Sequence, residues 1–167
     1  MSAASLHIRF AKAQDSVLIL KFIRELAIFE GMEYQVMVTV EDIRASLFEK
    51  KQAEVIIGEV SGQPVAFALF FHNYSTFLGK ANLYLEDLFV RKEHRSKGVG
   101  KAMLRRLARI AVERGCERLD WLVLDDNHPA IGFYQKFGAE SLSDRRVFRI
   151  SGNKLNAFAN QNLFNGG

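Results

Sequence analysis

The stretch that most constrains this chain runs from Leu83 to Arg114. Leu83-Tyr84-Leu85-Glu86-Asp87-Leu88-Phe89-Val90 is an apolar run of strand length, interrupted by two adjacent acids. A basic loop follows, Arg91-Lys92-Glu93-His94-Arg95-Ser96-Lys97-Gly98-Val99-Gly100-Lys101. The spacing then predicts an amphipathic helix over 98–114, with Met103, Leu104, Leu107, Ile110 and Ala111 on one face and Gly115 as its stop. A helix that starts in such a loop leaves its first N–H groups unsatisfied, and its dipole adds positive character there. Glycines let a bulky anion approach that backbone. Between positions 91 and 106 there are seven Lys/Arg (91, 92, 95, 97, 101, 105, 106) and one acid, Glu93. The loop therefore suits a pyrophosphate. It lacks the G-x-x-x-x-G-K-[ST] spacing of a nucleotide-triphosphate loop and the third glycine of a dinucleotide fingerprint.

Around this unit, strand-like and helix-like segments alternate. Leu6–Phe10 reads as a strand, and Asp15 as the cap of a helix carrying Leu18, Phe22, Ile23, Leu26 and Phe29. Thr39, with Asp42 three residues on, starts a second helix through 43–51. EVIIGEV, the Ser61-Gly62 turn and PVAFALFFHNY read as a hairpin. RLDWLVL (118–124) reads as a strand. Pro129 opens a short helix that Gly138 closes, RRVFRI (145–150) reads as a last strand, and the tail is weakly patterned. The order predicts an α/β (α+β) domain spanning 1–167, with no linker or repeat.

Composition narrows the classes. The net charge of +4 suits a phosphate-bearing cofactor, nucleic acid or a membrane surface without demanding any of them. Cys116 is the lone cysteine, so no internal disulfide forms and a reducing, cytoplasmic setting is expected. No apolar run reaches the roughly 20 residues of a membrane span, and the N-terminal segment does not read as a signal peptide. No metal-ligand spacing occurs, and the four histidines and Cys116 form no pattern for a covalent acyl-enzyme.

Arg95-x-x-Gly98-x-Gly100, set between a strand and a long helix, resembles the R/Q-x-x-G-x-G/A signature of the GCN5-related N-acetyltransferases. The block Asn127-His128-Pro129-Ala130-Ile131-Gly132-Phe133-Tyr134-Gln135-Lys136-Phe137-Gly138-Ala139 resembles that family's N-x-x-A-x-x-F-Y-x-x-x-G-F/A motif. Within the family the chain is most similar to the diamine/spermidine-spermine and thialysine branch. Arg24–Ala27, Phe29-Glu30, Met32-Glu33, Gln35-Val36, Gly79-Lys80 and Leu83–Val90 carry that likeness.

The resemblance implies a GNAT fold: a single mixed, mostly antiparallel twisted sheet with strands 4 and 5 splayed and helices on both faces. It implies acetyl-CoA in the gap, with backbone groups of Leu88, Phe89 and Val90 along the pantetheine arm. Arg95, Ser96, Lys97, Gly98, Val99, Gly100 and Lys101 would surround the pyrophosphate, with Asn127, Pro129 and Ala130 nearby. Tyr134 falls at the position of the acid that protonates the leaving thiolate, and a phenol stays neutral at pH 7. Glu86 is the candidate base. In a regular strand Glu86 and Asp87 face opposite sides, which leaves one for the cleft and one, Asp87, for structure. The acceptor site falls around Phe29, Glu30, Glu86 and Asp120-Trp121-Leu122, with Trp121 either a wall or core. A homodimer with exchanged C-terminal contacts is implied, compatible with Phe158 and Phe164.

Two departures bear on the acceptor. Polyamine-using members carry Tyr where this chain has Phe29, and glutamates where it has Ser141–Arg146. Arg145 and Arg146 would repel a long polycation and welcome a substrate carboxylate. A small diamine, or an amino acid with a side-chain amine such as thialysine, is therefore the expected acceptor. The rival readings are a spermidine/spermine acetyltransferase, a protein N-acetyltransferase and a non-catalytic CoA-binding module. Neither nucleic acid nor membrane is expected as a partner.

Overall fold

The computed structural model describes residues 5–161. Five strands form one sheet in the order β1-β2-β3-β4-β5: β1 Leu6–Phe10, β2 Glu54–Val60, β3 Gln63–Ser75, β4 Lys80–Val90 and β5 Leu119–Trp121. The first three pairings are antiparallel and β4–β5 is parallel, so the sheet is mixed and mostly antiparallel, as expected.

The alternation of β-strand side chains sorts the helices onto the two faces. Ile57, Phe67 and Phe89 share one face through the register, and they pack with Ile19, Leu20 and Phe22 of α1 (Ser16–Glu30) and Ile43 of α2 (Val40–Ile43). Phe22 stacks on Phe67 with centroids 5.2 Å apart. Gly58 and Ala66 turn to the other face, where α3 (Val99–Glu113) lies. A Cβ on Gly58 would stand 3.1 Å from Met103 Sδ and 3.4 Å from Ala66 Cβ, so glycine here lets α3 pack close.

Local chemistry accounts for most boundaries. Thr39 and Asp42 form the predicted capping box, with Asp42 N–H donating to Thr39 Oγ1 at 3.1 Å and Thr39 N–H to Asp42 Oδ2 at 2.9 Å. Past Ile43 the helix widens into a π turn over Arg44–Glu49, where Lys50 N–H donates to Ala45 O, five residues back. Asp15 does not cap α1 with its side chain. Its carboxylate instead takes Lys12 N–H at 2.7 Å and two bonds from Arg9 at 2.8 and 3.0 Å, closing the turn before the helix.

The chain divides into two compact units, 1–122 and 123–167. In the second, α4 (His128–Gln135) starts as expected, with Pro129 in its first turn and Asn127 Oδ1 accepting Ala130 N–H at 3.3 Å. Two expectations fail there. Residues 145–150 form no strand: among the described residues they have no ladder partner, and Phe148 is 91% exposed. Val147, Phe148 and Ile150 suit a strand, but strand propensity supplies no neighbour to pair with. The tail instead forms a helix, α5 (Gly152–Ala159), and Phe164 lies outside the described residues. The strand expected over 118–124 is likewise reduced to Leu119–Trp121.

Candidate active site

β5 pairs with β4 only from Leu83 to Leu85. Beyond that point β4 runs on to Val90 with β3 as its one strand partner among the described residues. Arg91 N–H donates to Val65 O at 2.9 Å, which makes 91/65 a hydrogen-bonded pair. In an antiparallel ladder such pairs alternate, so Phe89 exchanges its backbone bonds with Phe67. Leu88 and Val90 direct theirs to the open edge. Of the three residues implicated along a pantetheine arm, these two have backbone groups available there. The backbone of Phe89 is spent on β3, and its ring belongs to the core. The Val90 carbonyl already accepts Arg95 Nε at 2.7 Å.

The loop after β4 closes a short turn at Lys92–His94 and reaches α3 through Ser96 (φ 59°) and Gly98 (φ 83°), both in the left-handed region. This backbone form turns N–H groups toward a common side, an anion-binding geometry. No side chain caps α3, and its first intrahelical bond is Ala102 N–H to Gly98 O at 3.0 Å. The N–H groups of Val99, Gly100 and Lys101 thus have no helical acceptor. Nothing lies within 4 Å of the Cβ that Gly98 lacks. These residues fit a pyrophosphate. The basic cluster is smaller than its count of seven, however. Arg91 pairs with Glu25 at 2.8 Å, and Arg106 reaches Glu113 at 3.7 Å.

Glu86 and Asp87 do not face opposite sides of the sheet. Phe70 pairs with Leu85 and Leu69 with Asp87, which leaves Glu86 as an extra residue in a β-bulge. The bulge turns both acids to the α1 face. Asp87, expected to be structural, lines a shallow, open cavity of about 380 Å³ with Glu30. Its walls are Ile23, Leu26 and Ala27 of α1, with Met32, Gln35, Val36, Met37 and Val38. Burial first, then the charges of Glu86 and Glu30, push the Asp87 carboxyl up to about 6. Glu86 itself is exposed.

Asp120 registers with Tyr84 and shares this face, and burial followed by the charges of Glu86 and Asp120 raises the Tyr84 phenol. Trp121 registers with Leu85, so it belongs to the α3 face rather than beside Asp120; Leu122 is exposed. Phe29 is exposed, with the Arg95 guanidinium carbon 4.1 Å above its ring. In the second unit, burial raises the Tyr134 phenol, whose ring packs 5.4 Å from Phe133 and 6.3 Å from Phe137.

The structure thus brings Glu30, Glu86 and Asp120 to one sheet face. It adds Asp87, which the sequence reading gave to structure, and Tyr84 and the wall of Met32 and 35–38, to which that reading gave no place in the site. The bulge was the hidden signal: two consecutive acids in an apolar strand both turned to the same side. A carboxylate cluster under apolar walls attracts an organic cation, and the adjacent open strand edge and bare helix start suit an extended phosphate-bearing ligand. Among the described residues no group of three His, Cys, Asp or Glu side chains converges as a metal site, and no helix is long and apolar enough to cross a membrane.

Comparison with known proteins agrees with this geometry. The acetyltransferase (GNAT) family model matches residues 21–139. Thialysine N-epsilon-acetyltransferase of Bos taurus is 34% identical over 91% of this chain and 96% of its own length. L-ornithine N5-acetyltransferase of Arabidopsis thaliana is 29% identical over 93% and 89%. Among solved structures, an integron cassette protein from the mobile metagenome of V. cholerae superposes with a TM-score of 0.81, at 25% identity over 95% of this chain and all of that one.

Proposed function

Because the chain belongs to the acetyltransferase (GNAT) family, we propose that it transfers the acetyl group of acetyl-CoA directly to the side-chain or terminal amine of a small molecule. The observation that carries this reading is the open cavity lined by Asp87 and Glu30, next to the bulge at Glu86 and the stretch of β4 that β5 leaves unpaired. The whole chain, 1–167, acts in this reading as one transferase domain, homodimeric and cytoplasmic. Those last features rest on the resemblance and on cysteine usage.

Acetyl-CoA supplies an activated acyl carbon. The protein's part begins with the amine, which arrives as a cation and must lose a proton before its nitrogen has a lone pair. Carboxylates attract the cation, and Glu86, exposed at the bulge, receives the proton directly or through water. Asp87, raised to about 6 by burial and its acidic neighbours, is still mostly ionised at pH 7 and is suited to binding the cation as its counter-charge. Backbone N–H groups on the open β4 edge are preset donors for the developing oxyanion. The resemblance gives Tyr134 the role of protonating the departing thiolate, its own proton being replaced by the second one that the acylated nitrogen sheds. Direct transfer is favoured because Cys116, which follows α3 and precedes β5 in the chain, is buried.

Relatives named for thialysine and for ornithine favour an amino acid with a side-chain amine as acceptor. A diamine fits the same cavity. Turnover of acetyl-CoA against a panel of side-chain amino acids, diamines, polyamines and lysine peptides tests the proposal. Small side-chain amines or diamines should give the highest kcat/KM. CoA binding with no turnover on any amine would refute it, and a peptide preference would move the acceptor to protein.

A further inference from the structure

Glu25 and Arg91 take no part in the chemistry above, yet they join its two halves. Arg91 is the first residue after β4, where the open edge hands over to the cofactor loop. Its Nε and Nη2 donate to the two carboxylate oxygens of Glu25 at 2.8 Å each, and its Nη1 donates to Pro64 O at 2.7 Å. The guanidinium carbon lies 4.8 Å over the Phe22 ring, and both charged side chains are about three-quarters buried. A planar fork bound on both sides is a rigid connection, unlike a flexible surface pair. Glu25 lies on the turn of α1 that supplies Ile23, Leu26 and Ala27 to the amine cavity.

We propose that the Glu25–Arg91 ion pair is a positioning strut that sets the distance between the amine cavity and the acyl group held along β4. Reactions of this type depend steeply on that distance, since a misplacement of about 1 Å costs on the order of 10²-fold in rate. The strut ties the cavity's helix to the strand end directly, so acceptor and donor share one frame. The inference rests on the acetyl-transfer reading.

The test uses the full chain carrying Glu25→Gln, Arg91→Lys, and both together, assayed well below the melting temperature. Arg91→Lys keeps the charge and removes the fork, which guards against a variant that fails to fold. The readouts are CoA affinity by calorimetry and steady-state kinetics on the best amine of the panel. Each single variant should bind CoA within about 2-fold of wild type and lose about 10-fold in kcat. The double variant should be no slower than the slower single one, because the two residues act as one connection. A merely stabilising pair would lower the melting temperature and leave kcat of the folded enzyme within about 2-fold; that result overturns the strut. Wild type without turnover on any amine would instead overturn the functional reading, and the strut with it.

Discussion

Replacing Asp87 by Asn should stabilise the protein while impairing it. The carboxyl is raised from 3.8 to about 6 by burial and by Glu86 and Glu30, so its ionisation works against the fold. A raised acid binds more protons when folded than when unfolded, and stability therefore falls as pH rises from about 4 to about 6. That rise of a little over two pH units, at about 1.4 kcal/mol each, amounts to about 3 kcal/mol above pH 7. The amide keeps the shape and removes the charge, but it has its own hydrogen-bonding needs, so about 1–2 kcal/mol of that should be recovered. For a chain of this size the melting temperature would rise by about 2–8 °C at pH 8. At pH 4, where the wild-type carboxyl is already protonated in the folded protein, the gain should be gone and the amide's own cost of about 1–2 kcal/mol should leave the variant slightly less stable than wild type. Thermal melts of both proteins across pH 4–8 read this directly. A gain independent of pH, or a loss at pH 8, would refute the account of a carboxylate strained by its neighbours. The same variant should raise KM for a cationic amine, because the cation loses its counter-charge. Stability and function would thus move in opposite directions at one residue.

Other outcomes follow from the same geometry. Tyr134→Phe should lower kcat by on the order of 10²-fold and leave the KM for acetyl-CoA within about 3-fold, measured by thiol release. Gly98→Ala forces a side chain into φ 83°, which costs about 1–2 kcal/mol, and it should weaken CoA binding measured by calorimetry. Asp15→Asn breaks a largely buried ion pair with Arg9 and should cost about 2–4 kcal/mol in denaturant melts. The Asp15 carboxyl is lowered chiefly by Arg9, so its contribution is present above the ordinary carboxylate range and is lost as pH falls through its folded value.

The parts of this protein that were legible in the sequence are those whose causes are local. The capping box of Thr39 and Asp42, the amphipathic α3, the hairpin turn at Ser61-Gly62 and the start of α4 at Asn127 each depend on residues within one or two turns of chain. The strand, basic loop and helix of the phosphate site belong to the same class, because a helix start exposes its N–H groups whatever surrounds it. Glu30, Glu86 and Asp120 were found as acids near the likeness to a known family, without their geometry.

What the tertiary structure decided is pairing and direction. The bulge at Glu86 arises only when β3 and β4 are laid in register, and it turns Asp87, expected to be structural, into the lining of an open cavity. Arg91 counts as a phosphate-loop cation until Glu25, 66 residues away in the chain, takes its charge. Trp121 lies on the α3 face rather than with Asp120 because of which β4 residue it sits beside. The segment 145–150 is rich in strand-forming side chains and pairs with none among the described residues. The physical reason is common to all four: propensity and periodicity describe a residue's own neighbourhood, while a strand's partner, a carboxylate's company and a cation's counter-charge come from distant chain.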